Sequence, residues 1–419
     1  MRDEILGWIE EDREELVRFL SNFVRARSPN PPGDTTEATA HIAQFLRARG
    51  APFRIIAPQP SMPNVVGTFA GEGSGRHLVL NGHIDVFPVD ESERWSHPPW
   101  SGAVVNGRIY GRGVVDMKCG TTASIAAYAY LHRLRDRLSG TLTLTAVSDE
   151  ETFGPWGARY LMEHHAHEVL GDCCLNGEPS GPITIRFGEK GLLWLRIAVR
   201  TRGAHGAYTH LSPSATKIAA HLIRDLEQVC EVPTPADADI QRAQDEAGGL
   251  VDQALGPGAA ATVQRITLNI GTIAGGLKVN MVPGICSFDA DFRLPVGYGR
   301  EDIMPKIEAV VGRYPEASIT PINYAQPKAC DPFGDMSAFI ASNVQELRGY
   351  RPKPILSMGA SDARLWRQRG VPAYIYGPFP HGMGQADEYV DIEDFLHVVR
   401  VHALSALDYL TGYHRRLGS

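Results

Sequence analysis

The sequence predicts an α/β protein in which a sheet of buried strands is flanked by helices and interrupted by a smaller α+β insert. Three observations predict it. Short apolar runs, His77-Leu78-Val79-Leu80, residues 141–147 and Asp172-Cys173-Cys174-Leu175, are separated by helical stretches, as strands buried on both faces require. Near Leu192 the pattern changes to long alternating segments, which suit a sheet with one open face. Near Lys328 the first pattern resumes.

Taken in order, an amphipathic helix is expected from the start of the chain to near Ser28. Asn30-Pro31-Pro32-Gly33-Asp34 stops it, and a second helix runs to about Arg49. The three apolar runs then lead into Asn81-Gly82-His83, Ser148-Asp149-Glu150-Glu151 and Asn176-Gly177-Glu178. A helix from 119 to about 138 is rich in small residues, which lets it pack closely on the sheet. The insert reads as a strand over 192–202, a helix to about 229, strands over 264–273 and 286–293, and a helix after Gly299. That β-α-β-β-α order fits a compact sandwich. Residues 231–261, rich in Ala, Asp, Gly and Pro, are expected to be an irregular excursion. A strand over 373–376 and a last helix from Ile392 complete the chain. The resulting domain limits are 1–192 and 328–419 for the main domain and 193–327 for the insert.

Composition excludes several functions. With 419 residues, 43% of them hydrophobic, the chain can bury a large core in more than one lobe. Its net charge of -7 and scattered Lys and Arg offer no basic surface to nucleic acid or anionic lipid. Residues 1–27 do not read as a signal peptide, and no window has the apolar length of a membrane span. The six cysteines lack the spacing of a disulfide framework or zinc ribbon, which points to a reducing cytoplasm.

Chemistry is concentrated in His83, Asp85, Asp116, Glu150, Glu151, Glu178 and the distant His381. Most of these follow or end an apolar run, so their side chains should project from the carboxyl ends of strands into one crevice. Imidazole and carboxylate without thiolate is the donor set of a catalytic rather than a structural divalent ion. His83 can ligate through one ring nitrogen while Asp85 holds the other ring N–H. Of two adjacent acids, Glu150 and Glu151, one can reach a metal and the other a water beside it. Asp116 is the natural bridge between two ions. His164, His165 and His167 read instead as a solvated helix end, and Cys173 and Cys174 as small buried residues. Gly111-Arg112-Gly113 lacks a phosphate-binding context, which removes a dehydrogenase or other nucleotide-dependent enzyme from consideration.

Gly82-His83-Ile84-Asp85, residues 110–118, Asp149-Glu150-Glu151 and Gly177-Glu178-Pro179 together resemble the co-catalytic metal amidohydrolases. That family includes acetylornithine deacetylase, succinyl-diaminopimelate desuccinylase and carboxypeptidase G, and the resemblance covers nearly the whole chain. It implies a three-layer, mixed-sheet di-zinc peptidase-like domain with a ferredoxin-like lid that also dimerises. It further implies two divalent ions, Zn2+ above Mn2+ or Co2+, one held by His83 and Glu178, the other by Glu151 and His381, with Asp116 shared. Glu150 would be the general base and Asp85 its catalytic neighbour. In the lid, residues 203–211 resemble a segment whose His, here His205, stabilises an oxyanion, often in the partner subunit. Tyr208 in the same segment, Asn280, Arg293, and Ser361 in Gly359-Ala360-Ser361-Asp362-Ala363-Arg364 would meet the substrate. Cys119 stands where the family usually has Gly.

The resemblance implies a cytoplasmic homo-oligomer that cleaves the amide C–N bond of a small carboxylate-bearing N-acyl amino acid through a metal-bridging hydroxide. An aminohydrolase releasing ammonia from an activated aromatic amine is the alternative, for which Tyr208, Trp366 and Phe379 offer aromatic surface. A non-catalytic binding protein should have lost the base or a ligand, and every one is present.

Overall fold

In a computed structural model, which describes residues 1–233, 235 and 237–412, the chain forms two compact units. One comprises 1–187, 330–355 and 361–419, the other 188–329 and 356–360.

The first unit is a mixed α/β fold. Its sheet runs Arg54–Ile56, Asn64–Ala70, Ser139–Val147, Gly73–His83, Cys173–Asn176, Ala373–Ile375, Thr184–Glu189. From Ser139–Val147 to Ala373–Ile375 the strands are parallel, and the outer pairs are antiparallel, which makes the sheet mixed. The central strands carry apolar side chains on both faces because both are covered. Val79 and Cys174 belong to a core with Leu161, Met162 and Leu365 from the helices Ala158–His164 and Ala363–Gln368. Gly82, on the opposite face, meets the helix Cys119–Arg133, where a Cβ on Gly82 would lie 2.4 Å from Thr121 Oγ1. The long helix Ile392–Thr411 packs on Cys119–Arg133.

Several expectations need correction. The opening helix is two, Arg2–Glu11 and Arg13–Arg25, broken at Asp12, whose carboxylate is drawn aside by Arg49 (2.6 Å) and Tyr130 (2.9 Å). The small-residue helix ends at Arg133, before a short 3-10 turn. Trp366 offers no aromatic surface to a ligand, because it is buried in the core and donates its indole N–H to the Val169 carbonyl.

The second unit has a four-stranded antiparallel sheet ordered Thr267–Gly275, Ile285–Leu294, Gly191–Arg200, Ala317–Ala325. Alternate residues Leu193, Leu195, Ile197 and Val199 share a core with the helices Ala215–Glu227 and Arg300–Val311. The segment expected to be irregular contains helices, Ala238–Ala247, Leu250–Leu255 and Ala259–Thr262. Asp237 caps the first, accepting N–H bonds from Asp239 and Ile240, and Ala243 and Ala247 bury the face that the composition concealed.

Candidate metal centre

Sheet register brings the chemistry together. In the first unit His83 ends its strand opposite Val147, and Asn81 pairs with Asn176, so residues 148–151 and 177–178 leave the sheet at the same edge as His83. Asp116 arrives on the turn Val114–Lys118 just before the helix Cys119–Arg133, and Thr121 of that helix bonds the His83 carbonyl at 2.7 Å.

His83 is buried, and its Nδ1 lies 2.8 Å from the backbone carbonyl of Asp85. A carbonyl only accepts, so Nδ1 carries the proton and the Nε2 lone pair is free to bind a cation. Nε2 lies 3.2 Å from Asp116 Oδ1 and 3.4 Å from Glu178 Oε1. Ligand atoms of His83, Asp116 and Glu178 all fall within 4.8 Å of one another. Glu151 and His381 do not complete such a trio with Asp116 among the described residues. The His381 ring stacks on Tyr389 at 4.7 Å, with Nε2 3.8 Å from Asp391 Oδ2.

The electrostatics call for a cation. Burial pushes the carboxyls of Glu150 and Glu151 well up, with Asp116 adding to the effect on Glu151, and raises Glu178 to about 7. Burial opposes the charged form of His83, but Asp116 and Glu178 beside it outweigh that and raise its pKa. The Oε1 atoms of Glu150 and Glu151 are buried without a hydrogen-bond partner among the described residues. Acids gathered in this way are costly to ionise until a divalent ion compensates them, and the donor set fits such an ion.

Asp85 acts differently from expectation. Its carboxylate is 3.6 Å from His83 Nδ1, too far for a hydrogen bond, because the residue's own carbonyl has taken that place. The carboxylate accepts the backbone N–H groups of Glu150 (3.2 Å) and Glu151 (3.1 Å) and the Asn30 amide (2.8 Å). Asn30 also donates to Asp149 Oδ1 at 3.1 Å. Asp149, with φ +66°, turns the chain and accepts from Thr152 and the Trp156 backbone. Asp85, Asn30 and Asp149 therefore fix the loop on which both glutamates stand. Asn30 reads in the sequence only as part of a turn before two prolines, and nothing local announces this second use.

Residues 79–408 match peptidase family M20/M25/M40. The chain belongs to that family. Succinyl-diaminopimelate desuccinylase of Methylorubrum extorquens is 28% identical over 390 residues, covering 88% of this chain and 92% of the relative. N-formyl-4-amino-5-aminomethyl-2-methylpyrimidine deformylase of Halalkalibacterium halodurans is 38% identical over 236 residues, 54% of this chain and 55% of the relative. Among solved structures, the M20 family metallo-carboxypeptidase Sso-CP2 of Sulfolobus solfataricus superposes with a TM-score of 0.81 at 18% identity, covering 94% of this chain and 99% of that one. This M20 chain is a metal-dependent hydrolase of amide bonds.

The structure also places the other residues that the sequence singles out in this M20 member. In the first unit Arg364 is buried, its Nη1 3.7 Å from Glu150 Oε1 and 2.5 Å from the Ser361 carbonyl, with its guanidinium over the Phe153 ring at 4.7 Å. The sequence points to Ser361, and the structure adds Arg364, a guanidinium beside the candidate base. In the second unit the ribbon Ala204–His205 with Met281–Val282 holds His205 beside Asn280, whose carbonyl accepts the Gly206 N–H at 2.7 Å. The Tyr208 ring is exposed, 5.7 Å from His205. Arg293 lies toward the other end of the strand Ile285–Leu294 and pairs with Asp291 at 2.9 Å.

Proposed function

We propose that this M20 enzyme removes a small acyl group from a carboxylate-bearing N-acyl amino acid or a close relative. The observation that carries the reading is a trio of donors, buried His83 and Glu178 with half-buried Asp116, beside a further buried acid, Glu150, whose Oε1 has no hydrogen-bond partner among the described residues. The named activities of the two relatives, a desuccinylase and a deformylase, support acyl removal over release of ammonia.

In this reading His83 and Glu178 hold one ion, Glu151 and His381 the other, and Asp116 serves both. Zinc suits the nitrogen and oxygen donors, and manganese or cobalt can replace it. Such ions, when bound, polarise the scissile carbonyl and acidify the attacking water. Glu150, whose proton affinity burial has increased, takes a proton from that water and delivers it to the leaving nitrogen. Amide and water thus become acid and amine. Asp85 holds the Glu150 backbone in place, and Arg364 orients its carboxylate. His205 donates to the oxyanion. Arg293, Asn280, Tyr208 and Ser361 meet the substrate, the guanidinium pairing with its carboxylate.

A homodimer is part of the proposal. Within the insert, Cys286 pairs with Val199 and Arg293 with Leu192, so these ends of one strand are roughly 24 Å apart at about 3.4 Å per residue. One copy of the insert does not bring both Arg293 and the His205–Asn280 end to a single small ligand, so the partner's His205, the partner's Asn280 and the partner's Tyr208 would serve a site that uses this chain's Arg293. Leu277 (91% exposed) and Val279 (100%), flanking Lys278 near that end, offer apolar surface to a second copy. Among the described residues no helix is long and apolar enough to cross a membrane. All six cysteines are free, which supports a cytoplasmic setting.

The test combines a panel of N-formyl, N-acetyl and N-succinyl amino acids with a Glu150→Gln variant. Wild type reloaded with zinc should release a carboxylic acid from one panel member. The variant should keep its ions and lose about 10²–10⁴-fold in turnover. Ammonia without a carboxylic acid would overturn the acyl-removal reading, and a variant with normal turnover would remove Glu150 from the base role.

A further inference from the structure

Arg112 and Glu388 form a buried ion pair, Nη1 to Oε2 at 3.0 Å, outside the donor trio. Both belong to the first unit. Glu388 Oε1 accepts the backbone N–H of Val115 at 2.8 Å and that of Asp116 at 3.4 Å. Arg112 donates from Nη2 to the Gly384 carbonyl at 3.1 Å and from Nη1 to that of Gln385 at 3.4 Å. The Trp95 ring covers the guanidinium at 5.3 Å. The pair therefore joins two turns that are remote in sequence. One carries Asp116, and the other, 381–388, begins with His381. Just outside it the strands Arg108–Tyr110 and Tyr389–Asp391 run antiparallel with Tyr110 opposite Tyr389, the residue on which the His381 ring stacks.

A buried ion pair contributes little net stability compared with a well-packed apolar pair of the same volume. What an apolar pair cannot supply is a set of directed bonds to the backbones of two turns at once. We propose that Arg112 and Glu388 are positioning residues that set the spacing of Asp116 and His381 for the ion these two would share. The proposal rests on the two-ion assignment above. Its effect on the ion at His83 and Glu178 is expected to be smaller, since that ion shares only Asp116 with the turns the pair joins.

The experiment is a calorimetric titration of chelated full-length protein with Co2+, followed in parallel by the visible absorption of the bound ion. Wild type, Glu388→Gln, Arg112→Lys and His381→Ala are compared. Arg2→Ala serves as control, since it breaks a network with Asn343, Glu346 and Asp408 that is independent of the site. Glu388→Gln preserves shape and guards against misfolding. Wild type should take up two ions. Glu388→Gln and Arg112→Lys should weaken the step that His381→Ala removes by about 10- to 100-fold, and the other, which shares Asp116, by clearly less. Arg2→Ala should lower the melting temperature without moving either step. Unchanged binding in both pair variants, or equal weakening of both steps, would overturn the positioning role while leaving two ions in place. A wild type that binds a single ion would overturn the two-ion assignment and this inference with it.

Discussion

At the scale of single residues, Asp85 shows how one side chain can serve chemistry through the backbone of others. Charge-assisted bonds of this kind contribute about 1.5–3 kcal/mol each, and Asp85 accepts from Glu150, Glu151 and Asn30. Asp85→Asn keeps the volume but turns an amide NH2 toward at least one of these donors. Because His83 is held by the Asp85 carbonyl rather than by the carboxylate, the variant should retain metal affinity at His83 and Glu178. Turnover should fall by about 10- to 100-fold as the glutamate loop shifts. Steady-state kinetics on protein of known metal content separates the two effects. Loss of metal with turnover per bound ion unchanged would return Asp85 to the role of a histidine orienter.

At the scale of elements, the helix Cys119–Arg133 lies so close to the site strands that glycine is required at the contact. A Cβ on Gly120 would lie 1.8 Å from the Gly177 carbonyl oxygen, one residue before Glu178. Gly120→Ala should therefore force the helix and the Glu178 loop apart, costing about 1–3 kcal/mol of stability and weakening metal binding. Gly7, in the helix Arg2–Glu11, has open space where a Cβ would go. Gly7→Ala should be neutral or stabilising by up to about 1 kcal/mol. Denaturant midpoints of the two variants check this, and equal effects would show that the close contact carries no constraint. Cys119 is buried in this same helix, and burial pushes its thiol well up, so it packs as an inert small residue.

At the scale of the whole molecule, the last helix, Ile392–Thr411, is bound into the first unit by groups that must stay neutral. Burial lowers His397 to about 3, helped by Arg348 and Arg400, and lowers His402 to about 4 against the opposing Tyr376 carbonyl. His397 bonds the Tyr376 hydroxyl at 2.8 Å, and His402 bonds the Tyr376 carbonyl at 2.7 Å. Both folded pKa values lie below the ordinary 6.5, so the unfolded chain binds protons that the native chain refuses. Their stabilisation is complete above about pH 6.5 and is lost as pH falls toward 4, at about 1.4 kcal/mol per unit for each histidine. Melting temperatures from pH 7 to 4 should fall more steeply in wild type than in a His397→Gln, His402→Gln double variant. Parallel slopes would show that these histidines do not govern acid stability.

The α/β pattern, the site strands and most of the chemistry are legible in the order of residues, because an apolar run ending in His83, Glu150 or Glu178 is a local feature that burial and strand direction impose. So is the point at which the insert begins to alternate. Long-range packing, by contrast, sets what Asp85 accepts, braces the glutamate loop with Asn30 and Asp149, and brings Arg364 beside Glu150. Those contacts join residues tens to hundreds of positions apart, and a hydrogen bond leaves no periodicity in the chain that makes it. The helices within 231–261 are hidden for a related reason. Ala, Asp and Gly are poor markers of a buried face, and only packing of Ala243 and Ala247 reveals which side is covered. The link from Arg112 to Glu388 joins residues 276 positions apart, so it exists only once the fold has brought both turns together.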